Sequence, residues 1–308
     1  MKRKPITRRK LLKNTALASI GGFLYLNFPG SKHVAKASGL NIRSNYPGEK
    51  TRVVLIRDKD LLTDFNKPDQ VKIQSMLDQA VVALTGVSNH TEAWKKLIKP
   101  EDIVGIKSNN WRSLPTPPEL EIAIKQCVLR SGVPEKNISV RDGGIIEDPI
   151  FMDGTALINV RPMRTHAWSG VGSLLKNYIM FTNNRPALHP DSCADLAKLW
   201  KLPNVEGKTR LNILVMLNPL FHGVGRNHFN KEFTWEYKGL IVGYDPVAVD
   251  SIGVRIIQAK RKAFFGEDRP LNPPAKHIFL ADTRHNIGTA DAEKIELVRK
   301  GWMEDSLI

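Results

Sequence analysis

Three groups able to move protons or grip an anion, His166, Lys176 and His189, fall within one irregular stretch rich in Gly, Asn and Pro. Histidine titrates near neutrality and lysine pairs with carboxylate or phosphate, so the trio suits acid–base work on a small anionic substrate. Two flanking segments add polar groups just after apolar runs. Lys107-Ser108-Asn109-Asn110 follows the run ending at Ile106, and Asp245-Pro246-Val247-Ala248-Val249-Asp250 follows the run 239–243. Lys107, Asn109, Gly170, Gly172, Asn177 and Asp245 are the expected contacts to substrate or cofactor. Gly170-Val171-Gly172 lets backbone N–H groups approach an anion, but no Gly precedes Lys176, no Ser or Thr follows it, and Leu175 takes the third glycine of a dinucleotide fingerprint. A metal held by His166, His189 and a carboxylate such as Asp245 is a second reading. No H-x-H or H-E-x-x-H spacing accompanies it, and the metal is left unassigned. Taken singly, each residue has a structural alternative, and for Asp245 it is the N-cap that Pro246 favours. Asp250, in apolar company, needs a partner, with Lys107 or Arg255 the sequence candidates.

These residues need elements to hold them. Arg52 to Arg57 reads as a buried strand, and Ile73, Met76, Leu77, Ala80, Val81 and Leu84 recur at helical spacing before Gly86. Further strands are expected over 102–106, 137–140, 156–160, 211–217 and 239–243, with helices over 118–130 and 246–259 and a final helix over 290–300. The stretch 161–177 is expected to be a loop. Alternation of this kind predicts one α/β domain, a mainly parallel Rossmann-like sheet with helices on both faces. Ligands of such sheets gather at the carboxyl ends of strands, which would bring Lys107, His166, Lys176 and Asp245 around one concavity.

The beginning of the chain carries a different message. Thr7-Arg8-Arg9-Lys10-Leu11-Leu12-Lys13 precedes a mildly apolar stretch from Thr15 to Leu26, and Ala35-Lys36-Ala37 supplies a small-x-small cleavage pattern. This is the grammar of a twin-arginine signal over 1–37, and the stretch is too short and too rich in small residues for a permanent membrane span. The expected partners are the twin-arginine translocase and signal peptidase, the destination is the periplasm, and the mature chain starts at Ser38 with a polar linker to residue 50. The whole chain carries a formal charge of +15, but nine of its 46 basic residues lie in 1–37, leaving 37 against 31 acidic residues. That small, scattered excess argues against nucleic acid. Two cysteines, Cys127 and Cys193, exclude a four-thiolate iron–sulfur cluster within this chain; they are either a bonded pair or two buried thiols.

Asp102-Ile103-Val104-Gly105-Ile106-Lys107-Ser108-Asn109, Ile158-Asn159-Val160, His166 with Gly170 and Lys176-Asn177, His189, and the 245–250 segment resemble, in that order, the domain-of-unknown-function 362 family over about residues 52 to 298. Many such proteins are exported by twin-arginine signals, and some carry appended ferredoxin clusters. Where the family pattern has an Asp after the apolar strand near Leu214, this chain has Val215. The order His166, glycine-rich turn, Lys176, His189 is more distantly similar to nickel-pincer lactate racemase. That likeness implies His166 and His189 as acid–base or metal-contacting groups and Lys176 as a contact to a pincer-like cofactor. The function expected is acid–base or redox chemistry on a small anion, as an isomerase or oxidoreductase, with a metal or organic cofactor loaded before export. The alternative is a binding or maturation protein for an exported redox complex.

Overall fold

The computed structural model describes residues 50–223 and 229–308; the expected signal, cleavage site and most of the linker lie outside them. β1 (Thr51–Arg57) alternates between the two faces of the sheet, Val53 and Leu55 joining one apolar core and Val54 and Ile56 the other. It lies between β10 (Ile295–Gly301), parallel, and β9 (Gly239–Gly243), antiparallel. Beyond β9 come β8 (Thr209–Leu220), β6 (Ala156–His166), β4 (Val104–Lys107) and β5 (Ile138–Arg141). The last four are mutually parallel, so β9 and the short β7 (Gly170–Gly172), antiparallel to β6, interrupt a mainly parallel sheet, while β2 (Leu62–Asp64) and β3 (Lys67–Pro68) pair apart from it. With helices on both faces this is the α/β class, and the described residues form one compact unit.

One face is covered by regular helices. Gln70–Thr85 starts where Asp69 accepts hydrogen bonds from the N–H groups of Val71 and Lys72, and stops at Gly86 in the left-handed conformation. Pro118–Arg130 packs beside it, and Trp94 of His90–Leu97 fills the same core. The other face carries Pro246–Phe265, Lys276–Thr283 and a run of short turns from Ser173 to Leu202. Cys193 belongs to this core and Cys127 to the opposite one; both are free thiols, and the sheet separates them.

Two expectations are corrected. The segment 290–300 is not a helix: Asp291 caps a single turn, Ala292–Lys294, and the chain then extends as β10. Ile295 and Val298 are β-branched, and β1 offers an open edge that residues 295–301 satisfy residue for residue. Nor is 161–177 a loop. β6 continues to His166, past Lys107 where β4 ends opposite Asn159, and folds back as β7 (Gly170–Gly172) before the turn Leu174–Asn177. This overhang builds the site.

Candidate functional site

Strand periodicity alone would send Arg161 and Arg164 to opposite faces of β6. The β6–β8 register shifts between Pro162 and Arg164, and this bulge brings both guanidiniums to the wall of one cavity of about 670 Å³. Gly172 on β7 leaves the room they need: a Cβ there would sit 2.9 Å from Arg161 Nη2 and 3.3 Å from Arg164 Cζ. Lys176 and His166 share the wall, and His189 completes it from the next turn.

The charge balance is one-sided. Five cationic side chains line the cavity, Arg112, Arg161, Arg164, Lys176 and Arg185, against one carboxylate, Asp142. Asp142 is already engaged, accepting from Lys107 Nζ at 2.7 Å and from the Asn110 N–H at 2.9 Å. Against the upward push of burial, Lys107 and that N–H hold its carboxyl below the ordinary range. Arg161 and Arg164 are almost fully buried, and among the described residues neither forms an ion pair nor has a partner at Nε. Arg164 stacks on the Trp111 ring at 4.1 Å and donates to its neighbour's carbonyl at Thr165. Burial pushes Arg161 down to about 10 and Arg164 to about 9. Such guanidiniums are waiting for an anion.

The proton-handling groups feel this field. Burial, then Arg164 and Lys176, push His166 down to about 2, so its ring is neutral. Its Nδ1 accepts the Trp168 N–H at 3.1 Å, which places the ring proton on Nε2. Burial and Lys176 also lower His189, whose ring meets Trp168 edge to face at 4.4 Å. Among the described residues the Lys176 amine has one hydrogen-bond partner, Cys193 Sγ at 3.5 Å, and burial pushes that amine down to about 8.

Other expected contacts have different work. Lys107 lies beneath the cavity rather than in its wall, donating to Asp142, to the Ser108 carbonyl and to Asn177 Oδ1. Asn177 lines the cavity, but its amide is spent inward on Asn159 Oδ1 and on the carbonyls of Lys107 and Val160. Asn109 lines it as well. Gly170 packs against the Pro273 to Ala275 backbone in the left-handed conformation and is a packing glycine. Asp245 does not line the cavity: its carboxylate caps Pro246–Phe265 through the N–H groups of Val247 and Ala248 and accepts from Thr289 N–H. Asp250 takes neither expected cation. It accepts from Ser173 Oγ and from the N–H groups of Leu174 and Leu175, so it positions the turn that carries Lys176.

The residues missed by sequence reading are Arg161, Arg164, Asp142 and Cys193. Their signal was present in part: two arginines three apart at the end of an apolar strand, with no acid within the following ten residues.

No protein-family model, curated protein or solved structure matches this chain. A pincer-like cofactor, which the resemblance implies, asks for a histidine lone pair at its metal. His166 Nδ1 is occupied by the Trp168 N–H and Nε2 carries the proton, and among the described residues no three His, Cys, Asp or Glu groups gather for a metal.

Proposed function

We propose that this chain binds a small molecule bearing two or more acid groups in the cavity and carries out acid–base chemistry on it. The observation that supports this is the pair Arg161 and Arg164, buried cations that form no ion pair among the described residues, the acids that attract Arg161, Asp142 and Asp250, being engaged by other donors. Keeping two unpaired guanidiniums out of water costs stability, and a bound dianion supplies the missing charge. The same event arms the proton-handling groups. With the arginines neutralised, the repulsion they add to burial at His166 and Lys176 weakens, while burial itself still keeps part of the Lys176 amine neutral. Lys176 acts as the base, while the Nε2–H of neutral His166 donates to a developing oxyanion.

Export by the twin-arginine route is part of the proposal, as is membership of the domain-of-unknown-function 362 family. The test is thermal unfolding in a panel of succinate, oxaloacetate and phosphate, against chloride at equal ionic strength. A true ligand at about a hundredfold excess over its Kd stabilises by about 2.7 kcal/mol, several degrees for a chain of this size. Arg161→Met should abolish the shift. Equal stabilisation by chloride and dianions would reduce the effect to screening and end the proposal, whether as an enzyme or as a binding protein.

A further inference from the structure

Two lysines in this region are buried, and their surroundings differ in kind. Lys107 Nζ is held by a carboxylate, a carbonyl and an amide oxygen and does not line the cavity, so although burial pushes its amine down to about 8 it has no access to a ligand there. Lys176 Nζ reaches only a thiol, has no ion pair among the described residues, and lines the cavity with Arg161 and Arg164. A desolvated lysine beside other cations sheds its proton readily and becomes a nucleophile for carbonyl carbon. Its amine, pushed down to about 8 chiefly by burial, with the two arginines adding and Cys193 opposing, has a substantial neutral fraction near neutrality.

We infer that Lys176 forms an imine with the carbonyl carbon of a small oxo acid whose acid groups are held by Arg161 and Arg164. This rests on the anion-binding reading above and names the substrate class. In the step itself the amine nitrogen bonds to the carbonyl carbon as the carbonyl π electrons move to oxygen. The oxygen then leaves as water, carrying the two hydrogens of the amine, and the C=N bond takes its place. No oxidant or reductant takes part. His166 shares the wall, and its Nε2–H steadies the carbinolamine oxygen before it departs. Cys193 Sγ, 3.5 Å from the amine, offers it a weak acceptor in place of a carboxylate.

The experiment uses the full-length chain with pyruvate or 2-oxoglutarate and sodium cyanoborohydride, followed by peptide mass mapping. Lys176 should be reductively alkylated about tenfold or more faster than the exposed Lys59, since an amine beside a held carbonyl outcompetes a free one, with Lys107 untouched because it does not line the cavity. Labelling should rise with pH through about 8, and succinate, which has no carbonyl, should slow it by competition. Lys176→Arg should lose the modification while keeping the thermal shift with succinate. If 2-oxoglutarate raises the thermal midpoint yet leaves Lys176 unmodified, or if Lys59 reacts as fast, the imine is overturned while the anion site stands. If neither labelling nor any anion-induced shift occurs, both fall together.

Discussion

At the scale of single residues, stability and function pull in opposite directions at Arg161. Its burial without an ion pair means that Arg161→Met should stabilise the free protein by about 1 to 2 kcal/mol, raising its thermal midpoint, while removing its response to dianions. Unfolding curves with and without succinate check both signs at once. Asp250 behaves conversely. Asp250→Ala strands two buried N–H groups and a hydroxyl and should cost about 3 kcal/mol, read from urea unfolding. Sequence reasoning recognised that Asp250 needed a partner but looked for a cation, because a helix N-terminus as partner is a product of tertiary folding. His166, Lys176 and His189 were legible as a cluster because they sit close in the chain. Asp142 was not: its meeting with Lys107 is created by the pairing of β4 with β5.

Among the elements, the overhang of β6 and its return along β7 decide where the chemistry stands. The glycines of β7 have separate duties, and substitution separates them. Gly172→Ala crowds the two guanidiniums, whose side chains can shift, so dianion affinity should fall about tenfold with little change in stability. Gly170→Ala drives a Cβ to 2.6 Å from the Pro273 carbonyl at a positive φ, where only backbone can yield, and should cost about 2 kcal/mol or more. Calorimetric titration beside thermal unfolding distinguishes the pair. The register shift that re-aims Arg164 left no mark in the periodicity, which is why 161–177 read as a loop. The final strand was misread because Ala290 to Lys300 carries good helix formers, and the open edge of β1 outweighed that local preference.

For the molecule as a whole, acidity acts through two opposed sets of buried groups. Burial pushes Asp245 up to about 7 and Asp250 to about 6, so each holds a proton in the folded chain that the unfolded chain releases. Their contribution is complete below about pH 4 and is lost as pH rises through those values. His166, down to about 2, and the wholly buried His277, down to about 3, contribute above about pH 6.5 and lose it as pH falls. Between these limits the sets offset, and one substitution unmasks the slope. The stability gap between the wild type and Asp245→Asn should shrink from about pH 5 to about pH 8, as urea midpoints at each pH will report. The class of fold was legible because strand and helix periods are local, whereas the proposed export signal lies outside the described residues and calls for its own test. N-terminal sequencing of periplasmic material should begin at Ser38, and an intact Met1 there would refute the signal.

The sheet also partitions the chain in time. One face is closed by capped helices alone, and the other by Pro246–Phe265, Lys276–Thr283 and the short turns between Ser173 and Leu202 that carry Lys176 and His189. Short turns make few consecutive backbone bonds and open at lower free energy than a capped helix. Amide protons of residues 174–201 should therefore trade for deuterium through local opening, well ahead of those in Gln70–Thr85, and a bound dianion should slow the first group alone. The turns around the cavity can thus open while the sheet and its capped helices keep the fold registered, so a ligand's entry and exit need not wait on global unfolding.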